Sequence, residues 1–353
     1  MKHVILFLAV ISSTLLHAQF NESAPWMQAI NENQRLSNSD LKFQEIVNAF
    51  DTYWETRDPD VKGSGYKPFK RWENFWKNFV KEDGTLPTKQ ELWDTWIDKK
   101  QRENIQRTLA DNSNWLPVGP FSHINTGSWS SGQGRVNSII VDPNNSTTYY
   151  SGAPAGGIWK STDTGNTWTV LTDDLPQIGV SGIAIDYADS NIIYIATGDD
   201  DAGDSYSVGV FKSIDAGVTW NPTGLNPGNS PSRMNDIYIH PTNSNILWVA
   251  TSSGVYKSIN AGTNWTNNLS GNIRDLKIKP GDPNTIYAVS SSTFYKSTDG
   301  GNTFTSLSTG LPVSSSRLVI DVTPANTNVV YVLSADSGNG FQGIYKSTDS
   351  GSS

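Results

Sequence analysis

Four carboxylates crowd into six residues at Asp199, Asp200, Asp201 and Asp204, within a stretch running from Thr197 to Gly209 that also carries Tyr206. Carboxylates held this close raise one another's pKa, which is how a general acid is made, or they gather a hard cation such as calcium, with Asp199, Asp201 and Asp204 as candidate ligands. The plainest alternative is a solvated acidic turn. A second stretch, from Phe121 to Arg135, is rich in Gly and Ser and contains His123, Trp129 and Arg135. Arg135 and Arg233 occupy matching positions, each two residues before an Asn (Asn137 and Asn235), where they could clamp an anionic group or pair with a neighbouring Asp. Ligand-binding candidates are therefore Asp199, Asp200, Asp201, Asp204, Tyr206, Trp129, Arg135 and Arg233. His123 has no partner at metal-ligand spacing, and after residue 18 only His240 joins it, so a nucleophile triad has no support. Glycoside hydrolysis needs two carboxyl groups about 5 Å or roughly 6.5–9.5 Å apart, and the sequence offers one acidic cluster.

What positions such loops is a repeat. An aromatic residue and a lysine lead five times into the same turn: Trp159-Lys160-Ser161, Phe211-Lys212-Ser213, Tyr256-Lys257-Ser258, Tyr295-Lys296-Ser297 and Tyr345-Lys346-Ser347. Each serine is followed two residues on by Asp163, Asp215, Asn260, Asp299 or Asp349, and two further by Gly. Four of the copies then reach Trp168, Trp220, Trp265 or Phe304. The serines are 52, 45, 39 and 50 residues apart, a period that reads as one four-stranded propeller blade per copy. The turn fastens itself, because the Asp accepts hydrogen bonds from turn amides and Gly takes a positive φ. Inner strands are expected at 135–141, 180–185, 233–239, 273–278 and 316–322, and second strands at 147–151, 192–196, 246–250, 285–289 and 329–333. The fold class is therefore all-β, a β-propeller of four-stranded blades with five repeats visible and the last incomplete, beside a small N-terminal α-helical region.

The pattern Ser-x-Asp-x-Gly-x-Thr-Trp resembles the Asp-box, or bacterial neuraminidase (BNR) repeat, of a superfamily that includes sialidases, xyloglucan-cleaving glycoside hydrolases and sortilin-type Vps10 receptors. The resemblance implies a propeller whose Asp-box turns join third and fourth strands, away from the ligand face, so Asp163, Asp215, Asn260, Asp299 and Asp349 are structural. Sialidases carry an early Arg-Ile-Pro, and here Gly134-Arg135-Val136 departs from it. Xyloglucan-cleaving relatives place an acidic residue just before a Gly-Gly after the first blade's second strand; here Pro154 stands at that place ahead of Gly156-Gly157. The Vps10 receptors' cysteine-rich module has no counterpart, because the chain contains no Cys.

Composition divides the chain. All eight Glu lie before residue 112, and 27 of the 30 Gly lie after it. Beyond that point 18 Asp face 11 Lys plus Arg, which argues against a nucleic-acid or anionic-membrane surface. Met1-Lys2-His3 and the apolar run from Val4 to Leu16 read as a signal peptide ending at Ala18, and no later run is apolar enough to span a bilayer. Three amphipathic helices are expected between residues 19 and 112, around Phe43–Trp54, Trp72–Val80 and Leu92–Ile97, with their Trp residues at core spacing. The expected organisation is a signal peptide (1–18), a Trp-rich helical region (19–112) and a propeller (113–353) truncated at its C-terminus. Asn114-Trp115-Leu116-Pro117-Val118 resembles the outer strand that the fifth copy has not reached by Ser353. The function that follows is a secreted or cell-surface binding and adhesion propeller for an extracellular polysaccharide or protein, without membrane insertion and with calcium as the one cofactor in view. The alternatives are a glycoside hydrolase of the xyloglucanase-like group and a Vps10-like peptide-binding propeller.

Overall fold

The computed structural model describes residues 24–30, 41–61, 64–106, 134–173, 175, 178–200, 205–307, 309–312 and 314–353. They form two compact units, Met1–Thr88 and Lys89–Ser353.

In the first unit a 3-10 turn at Pro25–Ala29 precedes helices α1 (Phe43–Trp54) and α2 (Tyr66–Trp76). Steps of three and four put Phe43, Ile46, Val47 and Phe50 on the buried side of α1. Glu45 reaches back to accept from the Lys42 amide at 3.3 Å and caps the helix start. α2 begins six residues ahead of the expected Trp72, with Pro68 in its first turn, where a missing N–H costs nothing. Phe50 stacks on Phe69 at 3.8 Å between centroids, and Trp26 meets both edge-on at 5.0 and 5.4 Å. Trp26 and Trp72 thus serve as packing residues of an aromatic core.

The second unit opens with α3 (Lys89–Gln106). Composition groups this helix with the N-terminal region, but it packs on strands: Trp93 is buried among Tyr150, Ile158 and Phe211, with Trp96 and Ile97 alongside. Trp93 and Phe211 lie 5.2 Å apart between ring centroids. Compactness therefore divides the chain at Thr88, ahead of the compositional change near 112.

Nineteen strands follow among the described residues, in sheets of consecutive antiparallel strands. Sheet 1 holds β1 (Ser138–Asp142), β2 (Asn145–Ala153), β3 (Gly157–Ser161) and β4 (Thr169–Val170). Sheet 2 holds β5 (Val180–Ile185), β6 (Ile193–Thr197), β7 (Val210–Ser213) and β8 (Asn221–Pro222). Sheet 3 holds β9 (Met234–His240), β10 (Asn243–Thr251), β11 (Gly254–Ser258) and β12 (Thr266–Ser270). Sheet 4 holds β13 (Asp275–Ile278), β14 (Ile286–Val289), β15 (Phe294–Ser297) and β16 (Thr305–Ser306). Sheet 5 has three described strands, β17 (Arg317–Val322), β18 (Val330–Ala335) and β19 (Phe341–Ser347). The expected inner and second strands are all present, with β5 matching residue for residue.

Apolar clusters fill the space between successive sheets, such as Ala184, Ala196, Ile237 and Val249 between sheets 2 and 3, and Tyr287, Leu318, Ile320 and Val332 between sheets 4 and 5. At roughly 25 cal/mol per Å² of apolar surface, this burial is the main force stacking one sheet on the next. The aromatic–lysine repeat has a cross-strand reason. Lys160 pairs with Tyr150, Lys212 with Tyr194 and Lys346 with Tyr331, each ammonium 5.3–5.8 Å from the ring centre.

The Asp turns sit between third and fourth strands, at the sheet ends opposite the connections from second to third strands. In the first, the Ser161 hydroxyl donates to Asp163 at 2.7 Å and accepts from Gly165 N–H at 2.9 Å. Thr167 closes the turn by donating its amide (2.8 Å) and hydroxyl (2.6 Å) to the same carboxylate. The same bonds recur around Asp215, Asp299 and Asp349. Two consecutive residues take positive φ in each turn, so Thr164 (60°), Ala216 (59°), Ala261 (54°) and Ser350 (61°) adopt a conformation that glycine reaches without strain.

Candidate functional site

The inner strands of all five sheets border a cavity of about 400 Å³ along the axis of the second unit, lined among others by Asn137, Asp200, Asn235, Asp236, Lys277 and Arg317. Inner strands begin at the end of the unit where second strands finish, so the connection following β6 delivers Asp199 and Asp200 beside the residues that lead into β1.

Adjacent in sequence, these two aspartates have different surroundings. Asp199 is fully buried. Its Oδ2 accepts from the Arg135 guanidinium at 2.5 Å and its Oδ1 from Asn137 Nδ2 at 3.1 Å, while its amide donates to the Ser205 carbonyl at 3.1 Å. Asn137 Nδ2 also donates to Asp200 Oδ1 at 2.6 Å, and Asp200 faces the cavity. One Asn side chain thereby orients both carboxylates across two sheets. The approach is close because the supporting residues are small. A Cβ on Gly179 would lie 2.1 Å from Ser205 Oγ and 2.2 Å from the Pro154 carbonyl, and Ser205 Oγ donates to that carbonyl at 2.6 Å. Gly198, with φ at +110°, makes the bend from β6 into the loop.

Asp201, Asp204, Trp129 and His123 lie outside the described residues, as does Asn114–Val118. With both oxygens of Asp199 engaged by Arg135 and Asn137, one of the three calcium-ligand candidates is already satisfied by protein donors. Among the described residues no group of three or more His, Cys, Asp or Glu is placed to hold a metal ion. Tyr206 is exposed, with the Lys89 ammonium 5.8 Å from its ring centre. The match between Arg135 and Arg233 does not extend to partners. The Arg233 amide donates to Ser252 Oγ and its carbonyl accepts from the Ser252 N–H, while Asn235 donates its side-chain amide to the Ile273 carbonyl ahead of β13.

A second charged group lines the same cavity. Lys277 Nζ donates to Asp275 at 2.7 Å and Asp236 at 3.3 Å, with the Tyr238 ring centre 5.5 Å away. Asp275 also accepts from the amides of Leu276 (2.8 Å) and, in the next sheet, Ile320 (2.9 Å). Burial pushes the Asp236 carboxyl up; Lys277 opposes the shift and Asp275 reinforces it. Burial alone would lower Lys277, but Asp236, Tyr238 and Asp275 together hold it above the usual lysine value. This cluster was missed from the sequence. Its signal is charge alternating through inner strands, Asp236-Ile237-Tyr238 and Asp275-Leu276-Lys277, where β5 reads Val-Ser-Gly-Ile-Ala-Ile.

The succession of antiparallel sheets, with their first strands bordering the cavity, has a known architecture. The chain superposes on the crystal structure of an ancestral GH74 enzyme with a TM-score of 0.52 at 21% identity, covering 63% of this chain and 29% of that one. The fold is that of a β-propeller. No family model matches the chain. Among curated proteins it is 28% identical over 134 residues to a xyloglucanase of Hypocrea jecorina (strain QM6a), covering 35% of this chain and 16% of that protein. It is 26% identical over 156 residues to a xyloglucanase of Paenibacillus sp., covering 41% of this chain and 15% of the relative. The matched segments thus span about a sixth of the length of each xyloglucanase. Among the described residues no helix is long and apolar enough to cross a membrane.

Proposed function

We propose that the propeller acts on a plant-type β-glucan as a glycoside hydrolase of the xyloglucanase kind, with the polysaccharide meeting the face where β6 passes into Asp199 and Asp200. The observation carrying this reading is the partial similarity to two xyloglucanases from unrelated organisms. The cavity supports it chemically. Hydrolysis of a glycosidic bond needs one protonated and one ionised carboxyl group. Asp200, held by Asn137 and facing the cavity, is the candidate base, and Asp236 and Asp275, both bound to Lys277, are further carboxyl groups lining the same cavity. Asp199 is a positioning residue here, because its charge is spent on Arg135. Export through the segment Met1–Ala18 belongs to the same proposal.

One observation favours a second reading, retention of polysaccharide without cleavage. Pro154 stands where xyloglucan-cleaving relatives carry an acidic residue, and its carbonyl is committed to Ser205. Incubating the full chain with xyloglucan, mixed-linkage β-glucan and an unrelated α-glucan, while scoring retention and newly released reducing ends, separates the readings. Release from xyloglucan is the expected result. Retention without release establishes the second reading, and absence of both on every β-glucan removes the polysaccharide assignment.

A further inference from the structure

Sheets 1 and 2 are tied together through the loop that follows β6. Asp199 on its outgoing limb accepts from Arg135 and Asn137, which lead into β1. Ser205 on its return limb donates its hydroxyl to the Pro154 carbonyl, just after β2, at 2.6 Å. The Asp199 amide donates to the Ser205 carbonyl at 3.1 Å and joins the two limbs. A displacement of the return limb therefore reaches Asp199 through a single hydrogen bond.

α3 lies against that return limb. Trp93 is 8% exposed and enters the cluster that the two sheets share, beside Tyr150 of β2, Ile158 of β3 and Phe211 of β7. Val208, three residues after Ser205, packs on the same cluster. One turn ahead of Trp93, the Lys89 ammonium stands 5.8 Å from the Tyr206 ring centre. Burial lowers the pKa of Lys89, and a cation that has lost water is drawn to an aromatic face more strongly than an exposed one. Gln90 meets the turn after β8, where its Oε1 would lie 2.9 Å from a Cβ on Gly228. Among the described residues, the apolar clusters between sheets 2 and 3, 3 and 4, and 4 and 5 contain strand and turn residues and no helix. Stacking one sheet on the next does not require a helix, so the repeat by itself does not account for α3.

We infer that α3 positions the candidate site: Trp93 and Lys89 hold the limb from Ser205 to Val208, and through Ser205 they fix Asp199, and with it Asp200, against Arg135 and Asn137. Both act as positioning residues, since neither is among the residues lining the cavity. The inference rests on the proposed use of Asp200 toward a polysaccharide only for its effect on cleavage, whereas the bracing is a property of the chain without substrate.

Substitutions in the full chain test it. Lys89→Met removes the charge and keeps the apolar stem, Lys89→Arg restores a cation, and Lys346→Met makes the same change beside Tyr331 in sheet 5. Lys89→Met should speed hydrogen exchange of the Asp199 and Ser207 amides about tenfold while β13–β15 keep their protection. Lys89→Arg should return to near the parent rate, and Lys346→Met should leave both amides unchanged. Trp93→Ala should act in the same direction as Lys89→Met, and the Lys89 variants keep the test decisive if that change unfolds the chain. On xyloglucan, Lys89→Met should lose kcat about tenfold with KM little changed, because a misplacement of about 1 Å costs on the order of 100-fold. Unchanged exchange at Asp199 in Lys89→Met overturns the inference, as does a quickening spread equally over β13–β15. A parent chain inactive on every β-glucan, with the exchange result intact, supports the brace and removes only the polysaccharide reading.

Discussion

Two sets of aspartates occupy opposite ends of the propeller sheets. Asp163, Asp215, Asp299 and Asp349 recur in four of the five sheets, with Asn260 in the remaining one, and each is satisfied by bonds closed within five residues of itself. Their carboxyls are held low, Asp163 and Asp299 at about 2, because Thr167 and Thr303 donate both hydroxyl and amide to them. Asp199 and Asp200 occur once, and their partners lie more than sixty residues away on another sheet. Repetition with local partners marks a device for folding. A departure from the repeat, supported by long-range partners at the mouth of a cavity, is what sets Asp199 and Asp200 apart as candidates for a role besides folding.

The largest effect should come from the non-repeating end. Arg135→Ala leaves a fully buried carboxylate without its cation, and unfolding by urea should show a loss of about 3 kcal/mol, the low end for a broken buried pair because the Arg135 side chain stays 36% exposed. Arg135→Lys should recover only part of this, since an ammonium cannot reproduce the guanidinium geometry. A loss below about 0.5 kcal/mol, the range of a surface pair, would erase the distinction between the two sets.

The repeated set should respond to pH. Asp163, Asp215, Asp299 and Asp349 all titrate below the ordinary 3.8, so between about pH 4 and pH 2 the unfolded chain binds more protons than the folded one. Their stabilisation is complete above that window and is lost as pH falls through it. Replacing Asp215 and Asp299 by Asn should flatten the decline in a urea series from pH 5 to pH 2. An unchanged slope would place the acid sensitivity elsewhere.

The smallest effect sharpens the account of the turns. Ala216→Gly and Ala261→Gly relieve a left-handed backbone, an advantage of about 1–2 kcal/mol partly offset by the extra freedom glycine has when unfolded, so each should raise stability by roughly 0.5 kcal/mol. Gly217→Ala should do the reverse, because its Cβ would sit 2.6 Å from Leu171 at a φ of +91°. Thermal unfolding of the three variants measures both signs.

What the sequence made legible follows the same division. The Asp turns and inner strands are legible because turn chemistry and period-two alternation are encoded within a few residues; the expected 180–185 coincides with β5 and the expected 233–239 lies one residue from β9. α3 was found, but its amphipathic spacing specifies an apolar side without specifying what lies against it, so its packing on Phe211 stayed hidden. Asp199 and Asp200 looked equivalent because successive side chains leave an extended loop in different directions, and only the fold decides which one meets Arg135. The Lys277 cluster depends on β9 and β13 standing side by side, a fact no local pattern contains.

Under the proposed function Asp200 serves a ligand, whereas Asp215 serves the fold. The direct test measures xyloglucan cleavage and thermal unfolding together for the full chain, for Asp200→Asn and for Asp215→Asn. Asp200→Asn should keep its melting temperature and lose about 100-fold or more of its cleavage rate, the scale of a lost general base, while Asp215→Asn should melt earlier and cleave normally below its transition. Normal cleavage by Asp200→Asn, or a collapse of its stability with Asp215→Asn unaffected, would contradict the assignment.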